Sequence, residues 1–147
     1  MRKIFTIGFT KKTAADFFNL LESHDVSKVV DVRLYNTSQL LGFSKYPDVE
    51  FFLRRVADIE YVHDLYFTPT ERILDSYKKK FITWSGYEEA FAALMASREI
   101  DDYIRKNYAG ADKLCLLCTE QSPTNCHRRL VAERIAEVLG DVEIKHL

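Results

Sequence analysis

Five short apolar runs alternate with segments of helical periodicity, and this alternation limits the possible folds more than any other feature of the chain. The runs are rich in β-branched and large apolar residues, as strands buried on both faces of a sheet are. They span residues 3–9, 28–33, 59–63, 113–118 and 142–146. Strands that alternate with helices predict a mostly parallel sheet. We therefore predict an α/β fold, a single three-layer domain over residues 1–147 with about five strands and helices on both faces.

The segments between the runs carry apolar residues at helical spacing. Thr13 is placed to cap the first helix, with Asp16 three residues later in the position of a capping-box acid. Pro47 and Asp48 begin a second helix, and further helices are predicted over 69–81, 84–97, 100–108 and 130–139. Residues 34–46 form a long loop. The order of the strands in the sheet does not follow from the sequence.

Composition excludes several classes of protein. The net charge of -1 does not indicate a nucleic-acid-binding protein. No apolar run approaches the roughly 20 residues that a membrane-spanning helix needs. Three cysteines are present, an odd number, and two of them lie in one loop region. We therefore predict a reduced, cytoplasmic protein whose thiols are free, catalytic or metal-binding rather than joined in disulfides.

Polar and reactive side chains follow the predicted strands. In a parallel sheet the carboxyl ends of all strands share one edge, and open α/β folds bind ligands there. This edge is expected to gather residues that are distant in sequence, including those of the loop between 34 and 46. The predicted ligand-binding residues are Gly8, Asp31, Arg33, Ser44, Lys45, His63 and Arg128.

Two arginines are the main candidates for binding an anion, because a guanidinium holds phosphate or carboxylate through two parallel hydrogen bonds. Arg33 ends a buried strand, where the alternative is a salt bridge to Asp31 or Glu120. Arg128 lies in the first turn of a helix, where the helix dipole disfavours a cation. It therefore requires an anionic partner, either one of these two carboxylates or a bound ligand.

Thiol and imidazole groups gather between residues 118 and 128. Cys118 ends a strand, where a nucleophile would be accessible. Cys126 lies at or next to a helix start, where the dipole and neighbouring cations stabilise a thiolate. His127 is placed to act as a base, a ligand or a helix cap. The predicted catalytic residues are Cys118, Glu120, Cys126 and His127.

The same segment contains possible zinc ligands in Cys118, Cys126 and His127. The spacing argues against a metal, since there is no Cys-x-x-Cys pair and no second cluster. The adjacent Cys126 and His127 would also have to turn toward one point. We predict no metal site, with zinc as the alternative, and the sequence identifies no cofactor.

Several motifs recur in the same order in one family. The chain resembles the bacterial and archaeal domain-of-unknown-function family numbered 488, essentially from Ile4 to Leu147. The motifs that carry the resemblance are Thr6-Ile7-Gly8-Phe9-Thr10, Asp31-Val32-Arg33, Gly42-Phe43-Ser44-Lys45, Tyr61-Val62-His63, Cys118-Thr119-Glu120 and Cys126-His127-Arg128. The resemblance implies a small cytoplasmic α/β protein and supplies no reaction. Family members often carry a second glycine and a charged residue after the first strand, where this chain has Phe9-Thr10-Lys11-Lys12.

A second similarity is to rhodanese-like sulfurtransferases and cysteine phosphatases. Residues 29–33 are similar to a strand common in rhodaneses, and a strand that ends in Cys118 before a loop and a helix is similar to their active-site element. Those proteins close a tight anion-binding loop with an arginine a few residues after the cysteine. Here Arg128 comes ten positions after Cys118, with Pro123 between them.

Three functions remain open from the sequence. The first is an anionic small-molecule or nucleotide site at the sheet edge, in an enzyme or a binding protein. The second is a nucleic-acid-binding module that uses the loop 33–39 for base stacking and Lys11, Lys12 and Lys78–Lys80 for phosphate contacts, which the near-neutral charge does not favour. The third is a thiol-based sulfur-handling or redox role for Cys118 and Cys126.

Overall fold

The computed structural model describes residues 1–37, 42–120 and 122–147. Within them, five strands and six α-helices alternate along the chain. The strands are β1 (Arg2–Gly8), β2 (Lys28–Asp31), β3 (Glu60–His63), β4 (Leu114–Cys118) and β5 (Val142–His146). The helices are α1 (Ala14–Ser23), α2 (Asp48–Ala57), α3 (Glu71–Lys78), α4 (Trp84–Ser97), α5 (Ile100–Tyr108) and α6 (His127–Leu139).

All five strands are parallel and lie in the order β3-β2-β4-β1-β5. Two apolar cores cover the two faces of the sheet. One packs α1 and α2 against Val29, Cys115 and Leu117, and the other packs helices that include α4, α5 and α6 against Val30 and Leu116. The predicted three-layer α/β fold is confirmed.

Local capping explains where several helices begin. The Thr13 side chain accepts a hydrogen bond from the Asp16 backbone N–H at 3.0 Å, as predicted for the start of α1. Helix α3 starts at Glu71, two residues later than predicted, because the side chain of Thr70 caps it by accepting from the Ile73 N–H. Strand β2 ends at Asp31, two residues earlier than predicted, where the chain turns and Arg33 folds back onto Asp31.

Connections from two adjacent strands leave in opposite directions. After β1 the chain crosses to β2 on one side, and after β4 it crosses to β5 on the other. Such a switch point opens a crevice at the carboxyl edge of an open sheet. Here the following loops close the crevice, because Thr10 donates from its N–H and its hydroxyl to the Thr119 carbonyl oxygen at 3.3 and 2.6 Å.

Some of the residues covered by the sequence predictions lie outside the described ranges. In the predicted loop 34–46, residues 38–41 lie outside the described residues, and residues 42–44 form a short 3₁₀ helix. Gln121, between the predicted catalytic Cys118 and Cys126, also lies outside. No helix in the described ranges combines the length and apolar character needed to cross a membrane.

Candidate functional site

Asp31 is the centre of a buried hydrogen-bond network at the edge of the sheet. Its carboxylate accepts from Nε and Nη2 of Arg33 at 2.9 and 2.8 Å, and from the Tyr61 hydroxyl at 2.6 Å. Asp31 is fully buried and Arg33 is only 3% exposed. The salt-bridge alternative for Arg33 is therefore what the structure shows, with Asp31 as the partner.

This pairing sets the charge states of the network. Burial opposes the charge of Arg33, but hydrogen bonds to Asp31 and the attraction of its carboxylate outweigh burial and raise the pKa of the guanidinium. Burial and the same carboxylate raise the pKa of Tyr61, so its hydroxyl stays protonated and donates. The pair is neutral as a whole, which reduces the cost of enclosing two charges.

His63 supports the network from β3. Its Nε2 lies 2.6 Å from the Arg33 carbonyl oxygen, which can only accept, so Nε2 carries the proton. Nδ1 then accepts from the Asn36 amide at 3.2 Å, and that amide also donates to the Tyr61 hydroxyl at 3.1 Å. Asn36 and Tyr61 were not predicted as site residues. The β2–β3 pairing brings Tyr61 to Asp31, and the fold of the loop after β2 brings Asn36 to Tyr61 and His63.

Cys118, Cys126 and His127 meet on the other side of the same edge. Their sulfur and nitrogen atoms all lie within 4.8 Å of one another, and all three residues are buried. Cys126 is the extended N-cap residue of α6 and His127 is its first helical residue. This change of backbone conformation lets the adjacent side chains point to one place, although their adjacency had argued against a metal site.

The thiols differ in their electrostatic surroundings. A hydrogen bond from Cys126, the Thr119 N–H and the charge of Arg128 lower the pKa of Cys118 despite its burial. The partnership with Cys118 and burial raise the pKa of Cys126. Burial also raises the pKa of Cys115, whose side chain packs in the core on the opposite face of the sheet. Cys118 is thus the cysteine best placed to carry a negative charge.

Arg128 lies beneath the loop that follows β4. It is fully buried, donates from Nε to the Thr6 hydroxyl at 3.2 Å, and donates from Nη1 to the Glu120 carbonyl oxygen. The same carbonyl passes directly over Gly8, where a Cβ atom would lie 1.6 Å from it. Gly8 therefore allows a close backbone approach, and an oxygen of that backbone accepts a hydrogen bond from Arg128, for which a carboxylate or a bound ligand had been predicted.

A cavity of about 390 Å³ opens at the carboxyl ends of β2 and β4. The side chains around it come from the ends of these strands, from α3 and α4, and from the start of α6. Its lining residues are Arg33, Leu34, Tyr35, Pro69, Leu74, Tyr77, Lys78, Trp84, Tyr87, Cys118, Thr119, Glu120, Asn125, Cys126 and His127. All four predicted catalytic residues line it.

Of the predicted ligand-binding residues, Arg33 is among the described residues that line this cavity. Asp31 and His63 lie behind it in the network, and Gly8 and Arg128 lie beneath the Glu120 loop; none of these four is among the described lining residues. Ser44 and Lys45 are also outside the lining, at the 3₁₀ helix that precedes α2. The ligand-binding roles of these six residues stay predictions.

The aromatic wall of the cavity was not predicted. Tyr77, Trp84 and Tyr87 lie in the predicted helices 69–81 and 84–97, and Tyr35 lies in the predicted loop 34–46. In the structure the Trp84 and Tyr87 rings stack with centroids 4.7 Å apart, and Tyr77 packs edge-on against both. These aromatics cluster near the C-terminus of α3 and the N-terminus of α4, and their concentration there was the signal available in the sequence.

Comparison with protein families gives one match. The family described as Domain of unknown function DUF488 matches residues 13–135. The chain belongs to this family. The matched range contains every predicted site residue except Gly8 and leaves out the Thr6–Thr10 motif. No curated protein and no solved structure matches the chain.

Proposed function

We propose that the protein binds an anionic small molecule in the cavity at the carboxyl ends of β2 and β4, with Arg33 as the principal contact. The observation that carries the proposal is the geometry of the Arg33 guanidinium. Asp31 occupies Nε and one side of Nη2, and Nη1 makes no hydrogen bond within the described residues. Every enclosed side-chain nitrogen and oxygen in those ranges has a partner. An Nη1 without one therefore keeps some accessible surface, and Arg33 lines the cavity.

The second edge of a guanidinium, formed by Nη1 and Nη2, presents two parallel donors to a carboxylate or phosphate. The Phe9 ring lies 5.3 Å from the guanidinium carbon, and the Asp31 network fixes the group from behind. A donor that is already held in place loses little conformational entropy when a ligand binds. Asp31 neutralises much of the charge, so recognition rests on directed hydrogen bonds.

The cavity favours a ligand with a planar apolar part. Its volume is within the range of roughly 300–1,000 Å³ that is typical of small-molecule sites. The stacked pair of Trp84 and Tyr87 forms part of one wall. Cys118 and His127 lie at the same cavity as the anion contact, which puts reactive groups beside a bound ligand. A nucleotide-like molecule combines the required anion and ring.

Tryptophan fluorescence tests this proposal directly, because Trp84 is the one tryptophan of the chain and lines the cavity. We expect inorganic phosphate and adenosine monophosphate to change the emission in a saturable way, with the nucleotide binding more tightly. Arg33→Lys keeps the charge but loses the two-donor edge. The loss of a charge-assisted hydrogen bond of about 1.5–3 kcal/mol should weaken binding roughly 10- to 100-fold.

The matched control is Arg54→Lys, the same exchange at an exposed position of α2. It should leave both affinities unchanged. Absence of any saturable change with either probe at millimolar concentration would overturn the proposal. Equal losses in the Arg33 and Arg54 variants would do the same, since binding would then reflect general charge.

A further inference from the structure

Cys118, Cys126 and His127 present three metal-binding atoms to one point. This is the one group of His, Cys, Asp or Glu donors with that spacing among residues 1–37, 42–120 and 122–147. The three residues are 3–6% exposed, so the donors lie in a largely dry environment. Their positions are fixed by the end of β4 and the start of α6 rather than by a free loop.

The tautomer of His127 suits a metal ligand. Its Nε2 lies 2.5 Å from the Val32 carbonyl oxygen, which accepts and so fixes the proton on Nε2. Nδ1 then has its lone pair available on the side of Cys118. Histidines that bind metals usually donate their other N–H to a carbonyl or carboxylate in this way, because that bond fixes the ring and makes the ligand more basic.

The distances also fit. The Cys118 sulfur lies 3.8 Å from His127 Nδ1. With zinc–sulfur and zinc–nitrogen bonds of about 2.3 and 2.0 Å, a tetrahedral ion separates those two atoms by roughly 3.5 Å. This pair requires only a small contraction, and the two pairs that include Cys126 lie within 4.8 Å. Two thiolates and one imidazole are also the soft and borderline donors that zinc prefers over harder cations.

We propose that Cys118, Cys126 and His127 bind a zinc-class divalent ion whose fourth position is open to the cavity. All three residues line that cavity, so a water molecule or a ligand atom can complete a tetrahedron. The charges agree with this, since a divalent cation balances two thiolates that would otherwise repel each other inside the protein. The site does not depend on anion binding by Arg33, although both open on the same space.

Cobalt substitution tests the site on the whole, reduced protein. We expect Co²⁺ added to chelator-treated protein to bind one equivalent and to give a thiolate-to-cobalt charge-transfer band with the intense visible bands of a tetrahedral ion. Zn²⁺ should then displace it. Cys118→Ala, Cys126→Ala and His127→Ala should each lower the affinity for Co²⁺ by more than the roughly 10- to 100-fold that is typical of partners outside the ligand set.

The third cysteine supplies the control. Cys115→Ala removes a buried thiol from the same strand, but its side chain lies on the opposite face of the sheet, so the cobalt spectrum should be unchanged. Circular dichroism of each variant checks folding. If a ligand variant does not fold, Zn²⁺ should still protect two thiols of the wild-type protein from alkylation, identified by mass spectrometry as Cys118 and Cys126.

Three results would overturn the metal site. They are a wild-type cobalt spectrum without a thiolate band, a loss of that band in Cys115→Ala as large as in Cys118→Ala, and equal alkylation of Cys118 and Cys126 with and without Zn²⁺. Phosphate titration of the metal-free protein, followed by Trp84 fluorescence, tests the anion site separately. The failure of one proposal is therefore distinguishable from the failure of the other.

Discussion

The substitution Gly8→Ala tests the close backbone approach that shapes the edge of the sheet. The added Cβ would lie 1.6 Å from the Glu120 carbonyl oxygen and 2.9 Å from Arg128 Nη1. To reach ordinary van der Waals contact the carbonyl must move by about 2 Å. That movement breaks its hydrogen bond with Arg128 and strains the adjacent Thr10–Thr119 contacts.

The expected cost follows from these contacts. Overpacking of an enclosed site costs about 1–3 kcal/mol. A lost hydrogen bond to a charged group adds about 1.5–3 kcal/mol. We therefore expect Gly8→Ala to lower the free energy of unfolding by about 3–5 kcal/mol, a large part of the roughly 5–15 kcal/mol that is usual for a domain.

Urea unfolding followed by circular dichroism and Trp84 fluorescence measures this loss. Gly110→Ala is the matched control, because a Cβ there meets no atom within 4 Å. It should change stability by no more than about 0.5 kcal/mol, or raise it slightly by restricting the unfolded chain. A Gly8→Ala protein within about 1 kcal/mol of wild type, below the overpacking cost alone, would refute the close approach of Glu120 to β1.

Three further changes probe the buried polar groups. Arg33→Met leaves Asp31 charged and without its ion-pair partner, and it should lower the free energy of unfolding, measured in urea, by about 3–5 kcal/mol. The double variant with Asp31→Asn should recover part of this loss. Equal stabilities of the single and double variants would contradict the ion pair. Tyr108→Phe removes one of two phenol groups that donate to buried Asp64, and it should lower the free energy of unfolding by about 1.5–3 kcal/mol. A melting temperature equal to that of the wild type would contradict this contribution of the Tyr108 hydroxyl. Partial burial and a neighbouring arginine lower the pKa of His146, so between that lowered pKa and about pH 6.5 the folded protein binds fewer protons than the unfolded chain. The contribution of His146 to stability should therefore be fully present above about pH 6.5 and should be lost as the pH drops toward the lowered pKa. His146→Gln should make the decrease in stability with falling pH smaller. Identical pH profiles of the wild type and the variant would contradict the lowered pKa.

Local sequence predicted most of the secondary structure. Helix α4 and strand β5 begin and end at the predicted residues, because apolar spacing in α4 and short-range β-propensity in β5 mark them. Errors occur where a side chain redirects the backbone. Thr70 caps α3 two residues after the predicted start, and Arg33 folds back onto Asp31 instead of extending β2.

The partners of the charged groups were predicted less well. From the sequence we predicted that Arg128 needs an anionic partner, either a carboxylate or a bound ligand. Its acceptors include the Thr6 hydroxyl and the backbone carbonyl of Glu120, and this carbonyl comes close to Arg128 because Gly8 lets the loop pass close to β1. The spacing of apolar residues does not predict such a contact, since it depends on how two loops pack after their strands have paired.

Short-range patterns in the sequence place the strand ends, and these decide which residues come to the carboxyl edge of the sheet. The separation of these residues into an Asp31 group and a Cys118 group depends on the tertiary packing. Side chains alternate between the faces of a strand, so Asp31 points to the side of α1 and α2, whereas Cys118 points to the side of α6. The strand order then sets β2 beside β4, and the start of α6 brings Cys126 and His127 to Cys118. These associations depend on long-range packing, which determines the neighbours of each strand. No single segment of the sequence predicts that packing.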